Sequence, residues 1–368
     1  MKFERTRERE SLDASIMNIA QAYGFTAPAI NVSKKTIADL DDSLDIGTKV
    51  TTALVKARQP SKKPQHLWGA TKRSSGTTLS FTILASRHAI SHALVVKAAV
   101  SIAEAAGFTD LAVGVSSIGD SESRRRFARE LGTFFRKNAE ALSPEILKRA
   151  NTDPEGAYRA VLADGSELIE KLPRPIDYLS ESSRKTMVDT LHLFESVGIE
   201  YELQAHLPAV IGTHAELLFA VSGVDQKGER VILATGGRLD DLMKKQDKSP
   251  QGHAVGVSVT VPEALDLSPQ ADDAHLSCFV VHVGEAAKLK GFKLLDALCR
   301  ANVSVQEALL AESLKDQMDA AKATGAKYIA IIGQREALDG TVIIRNVGSG
   351  MQQSVSTERL TALVARSK

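Results

Sequence analysis

A chain of 368 residues is too long for one compact core and predicts two or three domains. Its 43% apolar and 25% charged residues are ordinary for a soluble globular protein. The 46 Lys plus Arg against 45 Asp plus Glu exclude a strong global field, so any nucleic-acid contact has to come from local patches.

The first predicted element is a helix over residues 8–23, with Leu12, Ile16, Ile19 and Ala20 on one face and Gly24 as its C-cap. Its charged N-terminal side, Met-Lys-Phe-Glu-Arg-Thr-Arg-Glu-Arg-Glu, has no apolar stretch, so no secretory signal is expected. Pro28-Ala29-Ile30 opens an extended segment, residues 48–58 read as a helix, and 59–64 as a basic loop. Two strands follow, 66–70 and 77–83, joined at Ser74-Ser75-Gly76, and then a long helix over 89–106. A strand over 111–117 leads into a helix with Ser121 as its candidate N-cap. Residues 140–197 are mostly helical, punctuated by Pro144, Pro154, Pro173 and Pro175. Strands at 201–203, 217–221, 230–235 and 254–261 lead to a polar linker at 265–275. The remainder alternates strand 276–283, helix 285–301, strand 303–306, helix 313–324 and strand 327–332. A hairpin near Gly340 and a last helix from Thr357 complete a small three-layer domain with a largely parallel sheet.

General catalytic motifs are missing: no phosphate-binding Gly-rich loop and no His-Glu-x-x-His. His88 and His92 stand at a metal-pair spacing without a third ligand, so no metal is expected. Cys278 and Cys299 have no His or Cys close in sequence, which fits buried thiols in a reducing compartment and argues against a nucleophile. No apolar run reaches the roughly 18 residues of a membrane span, and a cytoplasmic protein is expected. Arg124-Arg125-Arg126 at a helix start oppose the dipole, so they face acidic neighbours, a polyanion or solvent.

Two landmarks carry a resemblance. Ala234-Thr-Gly-Gly-Arg-Leu-Asp-Asp-Leu242 looks like the Gly-Gly-Arg-Tyr-Asp-x-Leu strand and turn of histidyl-tRNA synthetases. Ser313-Leu314-Lys315-x-Gln317, Gly325-Ala326, Gly333-x-x-Glu336, Gly340-Thr341-Val342 and Gly350-x-Gln352 resemble their anticodon-binding domain. Asp177-Tyr178-Leu179 and Gly198-Ile199-x-Tyr201-x-Leu203 resemble the segment before the family's histidine-binding strand. The resemblance implies an α/β chain: a class II synthetase-like core with an antiparallel sheet over 1–267, carrying a helical insertion at about 120–197. A three-layer α/β/α anticodon-binding-like domain over 276–368 follows.

The family's functional positions depart from this pattern. Its Arg-Gly-Leu-Asp-Tyr-Tyr-Thr motif lines up with Ala209-Val210-Ile211-Gly212-Thr213-His214-Ala215, and its third-motif Gly-x-Glu-Arg-Leu with Val261-Pro262-Glu263-Ala264-Leu265. The Leu-Arg-Pro-Glu-Gly-Thr segment falls near Leu44-Asp45-Ile46-Gly47-Thr48, and the second motif's Phe-Arg near Lys72-Arg73. Amino-acid activation builds negative charge at the α-phosphate, and losing one fixed cation there costs about 3–4 kcal/mol of barrier. The resemblance therefore implies a degenerate protein with no catalytic residues and no metal. A residual ligand pocket is placed at Arg73, Gly236, Gly237, Arg238 and Asp240, and tRNA contacts at Lys315, Gln317, Arg335 and Arg345. The implied role is binding of tRNA or a protein partner, as a homodimer paired through the first helix and following strand, with no cofactor. Two alternatives stand beside it: a diverged histidine–tRNA ligase using ATP and Mg, and a protein like the regulatory subunit of ATP phosphoribosyltransferase.

Overall fold

The computed structural model describes residues 2–25, 30–40, 45–57, 61, 63–165, 167–207, 214–246, 252–267 and 276–365. In chain order the elements begin with α1 (Lys2–Ala22), β1 (Ile30–Asn31), α2 (Lys34–Ala38) and α3 (Ile46–Ala57). Next come β2 (Gln65–Arg73), β3 (Gly76–Leu84), α4 (Ile90–Ala105), β4 (Thr109–Gly119), α5 (Ser121–Lys137), α6 (Pro144–Thr152), α7 (Pro154–Asp164) and α8 (Glu181–Val197). The first part ends with β5 (Glu202–Leu203), β6 (Ala215–Val224), β7 (Arg230–Arg238), α9 (Asp240–Gln246) and β8 (Ala254–Val261). The second comprises β9 (Cys278–His282), α10 (Glu285–Arg300), β10 (Val305–Glu307), α11 (Leu314–Ala323), β11 (Tyr328–Ile332), α12 (Gln334–Asp339), β12 (Thr341–Asn346), β13 (Gln352–Ser356) and α13 (Thr357–Ala365).

Eight strands form one sheet in the order β1-β2-β3-β8-β7-β6-β4-β5. The six inner strands pair antiparallel, and the two-residue edge strands β1 and β5 pair parallel. Period-2 alternation explains its layering. Leu79, Phe81 and Ile83 of β3 and Val255, Val257 and Val259 of β8 join the main core with α1 and α4. The intervening Thr78, Ser80, Ser258 and Thr260 make the opposite face polar. The helices α5–α7 build a second core around Phe127, Leu131, Phe135 and Tyr158.

In the second sheet, β10-β9-β11-β12-β13, the strands β10, β9 and β11 run parallel while β12 and β13 return antiparallel. The helix α11 covers one face and α10, α12 and α13 the other, giving three layers. The two parts share one core: α10 packs on α1 and α8, and Asp296 on α10 accepts from Tyr23 Oη at 2.9 Å and Lys97 Nζ at 3.1 Å.

Several expectations shift. The N-cap of α5 is Asp120, whose carboxylate accepts from Ser123 N at 2.8 Å and also holds Ser180 Oγ at 2.9 Å. A second helix start thus claims it where Ser121 was expected. Gly340 is the left-handed C-cap of α12, and the hairpin turn lies at residues 347–351. Leu265 and Leu267, placed in a polar linker, are buried in the main core, while 268–275 lie outside the described residues. Gly24, at φ +87°, does end α1, letting Phe25 N reach Ala20 O at 2.9 Å. Pro28 and Ala29 of the expected extended segment lie outside the described residues. No helix among the described residues is long and apolar enough to cross a membrane.

Candidate functional site

The polar face of the large sheet is roofed by α3. Gly47 makes the close approach possible, since a Cβ there would stand 2.1 Å from Ser258 Oγ. Ser80 Oγ donates to Gly47 O at 3.0 Å and bonds Ser258 Oγ at 2.9 Å, while Thr51 Oγ1 lies 3.4 Å from Ser80 Oγ. At the N-terminal end of α3 the roof stops and a cavity of about 380 Å³ remains, lined by Asp45, Arg73, Thr78, Thr235, Ser258 and Thr260 among others. Asp45 is already engaged as a cap, accepting from Thr48 N at 3.0 Å and Thr48 Oγ1 at 2.5 Å. Arg73, at the exposed end of β2, is the one cation among the described lining residues.

The other residues grouped with Arg73 by sequence lie elsewhere. A Cβ on Gly236 would meet Gly256 O and the Phe219 ring at 2.4 Å, so that glycine serves strand packing. Arg238 is buried and engaged: Nε and Nη2 donate to Asp240 Oδ1 at 3.1 and 2.8 Å, and Nη2 also to Ser86 O at 3.1 Å. Asp240 further takes Ala254 N and His253 Nδ1, both at 3.0 Å. Burial pushes the Asp240 carboxyl up, but Arg238 and these hydrogen bonds outweigh it and hold the group below its usual range. His92, beneath the pair, is driven down to about 3 by burial and then by the Arg238 charge, so it stays neutral. The cluster ties the ends of β7 and β8 to the loop before α4. It braces that corner of the sheet.

The aligned histidine-binding segment, Ala209 to Thr213, lies outside the described residues. His214 and Ala215 are buried at the start of β6, His214 Cβ standing 3.3 Å from where a Cβ on Gly237 would be. Ala264 follows β8 at the surface. His88 is half-exposed, 3.7 Å from Glu312, and among the described residues no group of three or more His, Cys, Asp or Glu could hold a metal ion. Burial pushes the thiols of Cys278 and Cys299 up to about 12 and about 11, which leaves no thiolate nucleophile. Arg124 found the acidic neighbours: Nη2 is 2.5 Å from Glu155 and Nη1 3.1 Å from Asp241, whereas Arg125 is exposed. Sequence reasoning passed over Glu216, which sits at φ +54° in an irregular stretch of β6. Burial, with Asp120 and Asp240 nearby, pushes its carboxyl up. The polar face could have been found in the alternation Thr77-Thr78-Leu79-Ser80-Phe81-Thr82-Ile83.

In the second part, Lys315 is exposed on the first turn of α11, and Arg345 shares that side of the sheet because it pairs with Ile329. Gln317 does not belong with them. It is fully buried, its Oε1 accepting from His282 N at 2.8 Å and its Nε2 donating to His282 O and Ala311 O, because the end of β9 needs both groups satisfied. Arg335 lies on α12, in the opposite layer, paired with Asp339 at 3.5 Å.

Residues 277–366 match the family described as HGTP_anticodon, anticodon binding domain. The histidine–tRNA ligase of Geobacillus kaustophilus is 28% identical over 70% of this chain and 62% of its own length; that of Symbiobacterium thermophilum is 27% identical over 74% and 65%. The crystal structure of apo S. aureus histidyl-tRNA synthetase covers 87% of this chain and 82% of its own, at 19% identity and a TM-score of 0.47. The chain thus spans less than two thirds of the length of these curated relatives. With that anticodon-binding domain set behind an antiparallel-rich sheet, the chain is similar to the histidine–tRNA ligases in both of its parts.

Proposed function

We propose that the protein is a non-catalytic relative of the histidine–tRNA ligases that binds tRNA through residues 276–368, as a cytoplasmic homodimer. The observation that carries this reading is the state of the polar sheet face. It is roofed by α3, its remaining cavity has Arg73 as the one cation among the described lining residues, and Ala209 and Ala264 stand where the family pattern has arginines. Charge developing on an α-phosphate would meet one exposed guanidinium where preorganised cations are needed. Support for tRNA comes from the domain match and from Lys315 and Arg345 on one side of the second sheet. Contacts of this type go largely to phosphate and weaken with salt, the logarithmic slope being about −0.7 per contact on single strands.

Two assays test the reading. Histidine-dependent ATP–pyrophosphate exchange stays at background while the Geobacillus ligase, run beside it, turns over. Total tRNA binds at low ionic strength, more weakly as salt rises, and more weakly still in Lys315→Glu. The similarity to proteins named histidine–tRNA ligase favours a second reading, a diverged active ligase. Exchange above background that disappears in Arg73→Ala establishes that reading instead. Undetectable tRNA binding moves the function to a protein partner.

A further inference from the structure

A cleft of about 780 Å³ opens between the two sheets, bounded by α11 and the 308–312 segment on one side and by residues 63–66 and 85–88 on the other. That volume is typical of small-molecule sites. We propose that it binds a small organic cation, a primary amine or guanidinium carried on a short apolar body.

The lining is one of acceptors. Glu307, Glu312 and Asp316 place three carboxylates in it, and the methyl groups of Ala308, Ala311, Ala320 and Ala323 form an apolar wall beside them. The protein's own cations there, Lys63 and His88, stand only at the rim. Lys63 Nζ is 3.6 Å from Asp316 and His88 Nε2 3.7 Å from Glu312, with all four side chains largely open to water. Exposed pairs at such distances hold weakly and give way to a better-placed cation.

The floor is drawn from both parts of the molecule. Gly24, at φ +87°, presents a bare backbone: a Cβ there would meet His66 Nδ1 at 2.2 Å and Glu307 Oε1 at 2.6 Å, so the imidazole and the carboxyl crowd the same point. Glu307 Oε2 accepts from Leu309 N. His66 is wedged against Phe25, ring centroids 5.2 Å apart, with its Nδ1 buried beside the backbone of Tyr23 and Gly24. Burial drives the ring's pKa down to about 4, so near neutrality it is uncharged, and a neutral imidazole keeps one lone-pair nitrogen. A ligand rich in N–H donors meets Glu307 on the floor and Glu312 and Asp316 beside it, whereas an anion meets three carboxylates.

The charged and titratable groups facing Glu307 are His66 and Lys63 before and on β2, His88 after β3, and Glu312 and Asp316 beside α11. Burial pushes the Glu307 carboxyl up to about 7. A bound cation needs it ionised, so binding releases a proton below that pH and tightens between about pH 6 and about pH 8.

Calorimetric titration of the full chain with agmatine and with spermidine, and with succinate as the anionic control, tests this. Saturable binding of at least one cation and none of succinate is expected. Glu307→Gln weakens it by about tenfold or more, and Glu312→Gln and Asp316→Asn by several-fold. The last two side chains are exposed, so their variants keep the fold and carry the test even where Glu307→Gln unfolds. Absence of saturable binding of both cations at millimolar concentration overturns the proposal. So does binding that all three substitutions leave unchanged.

Discussion

Arg238 shows how one side chain can keep a family's letters while serving the scaffold. Its Nε and Nη2 donate to Asp240 and Ser86 O, and the side chain is buried. Removing one partner of a buried pair strands the other, at a cost of about 3–5 kcal/mol. Arg238→Ala is therefore expected to lower the urea midpoint strongly, and a loss below about 1 kcal/mol would show the brace to be dispensable. At Glu307 the pH dependence has a definite sign. Its folded-state pKa lies above the unfolded value, so its protonated form is favoured by folding. That contribution is intact below the unfolded pKa near 4.3 and is lost as pH rises to about 7. Urea denaturation across this window should show Glu307→Gln gaining on the parent as pH rises; a flat difference would place the carboxyl in a wetter setting. These residue-level facts were the least legible in sequence. Lys315 and Gln317 sit two apart in one motif, yet one is exposed and the other clamps a strand end, because helical geometry turns them to different sides. Arg73 and Arg238 were grouped by family position and are separated by the sheet's packing.

At the scale of elements, the sequence was legible wherever backbone chemistry is local. Gly24 and Gly198 mark helix ends because each adopts a left-handed conformation, and Pro144, Pro154 and Pro175 open helical turns, whereas Gly340 caps α12 where a hairpin was expected. The hairpin β2–β3 follows from Ser74-Ser75-Gly76, with Arg73 paired to Gly76. What could not be read was the destination of α3. Beside the apolar row of Ile46, Val50, Ala53 and Leu54 its threonines meet a surface that is itself hydroxyl-lined. That docking depends on Gly47. Gly47→Ala forces the helix away from Ser258, and overpacking of this sort costs about 1–3 kcal/mol. Thermal melting should show it, and an unchanged melting temperature would mean that α3 rests on the sheet more loosely than the contacts indicate.

On the scale of the whole molecule, the two sheets do not behave as beads on a string. Asp296 of α10 receives Tyr23 and Lys97 while α10 lies against α1 and α8 in one continuous core. Trp68, the single tryptophan, reports on the large sheet from β2. Asp296→Ala removes the carboxylate from two buried donors, a change worth about 3–5 kcal/mol. A shared core carries that loss to Trp68, so its fluorescence midpoint in urea should fall together with the far-ultraviolet signal. A tryptophan transition that stays in place would show two independent units. The change of pattern near residue 270 is visible in the sequence, but the sharing of the core is not. Nothing in the apolar faces of α1 and α10 names the other helix.

The joint core also bears on how such a chain can change over generations. Shedding residues 276–368 would bare the sides of α1 and α8 that now meet α10, along with Tyr23 and Lys97. A lineage cannot trim the second sheet by a single truncation and keep a well-behaved remainder, because newly exposed apolar area invites association. Those helix faces would first have to turn polar, one substitution at a time, while the partner they still cover held them together. The seam between the sheets is in that sense a ratchet: it makes the attached domain hard to discard.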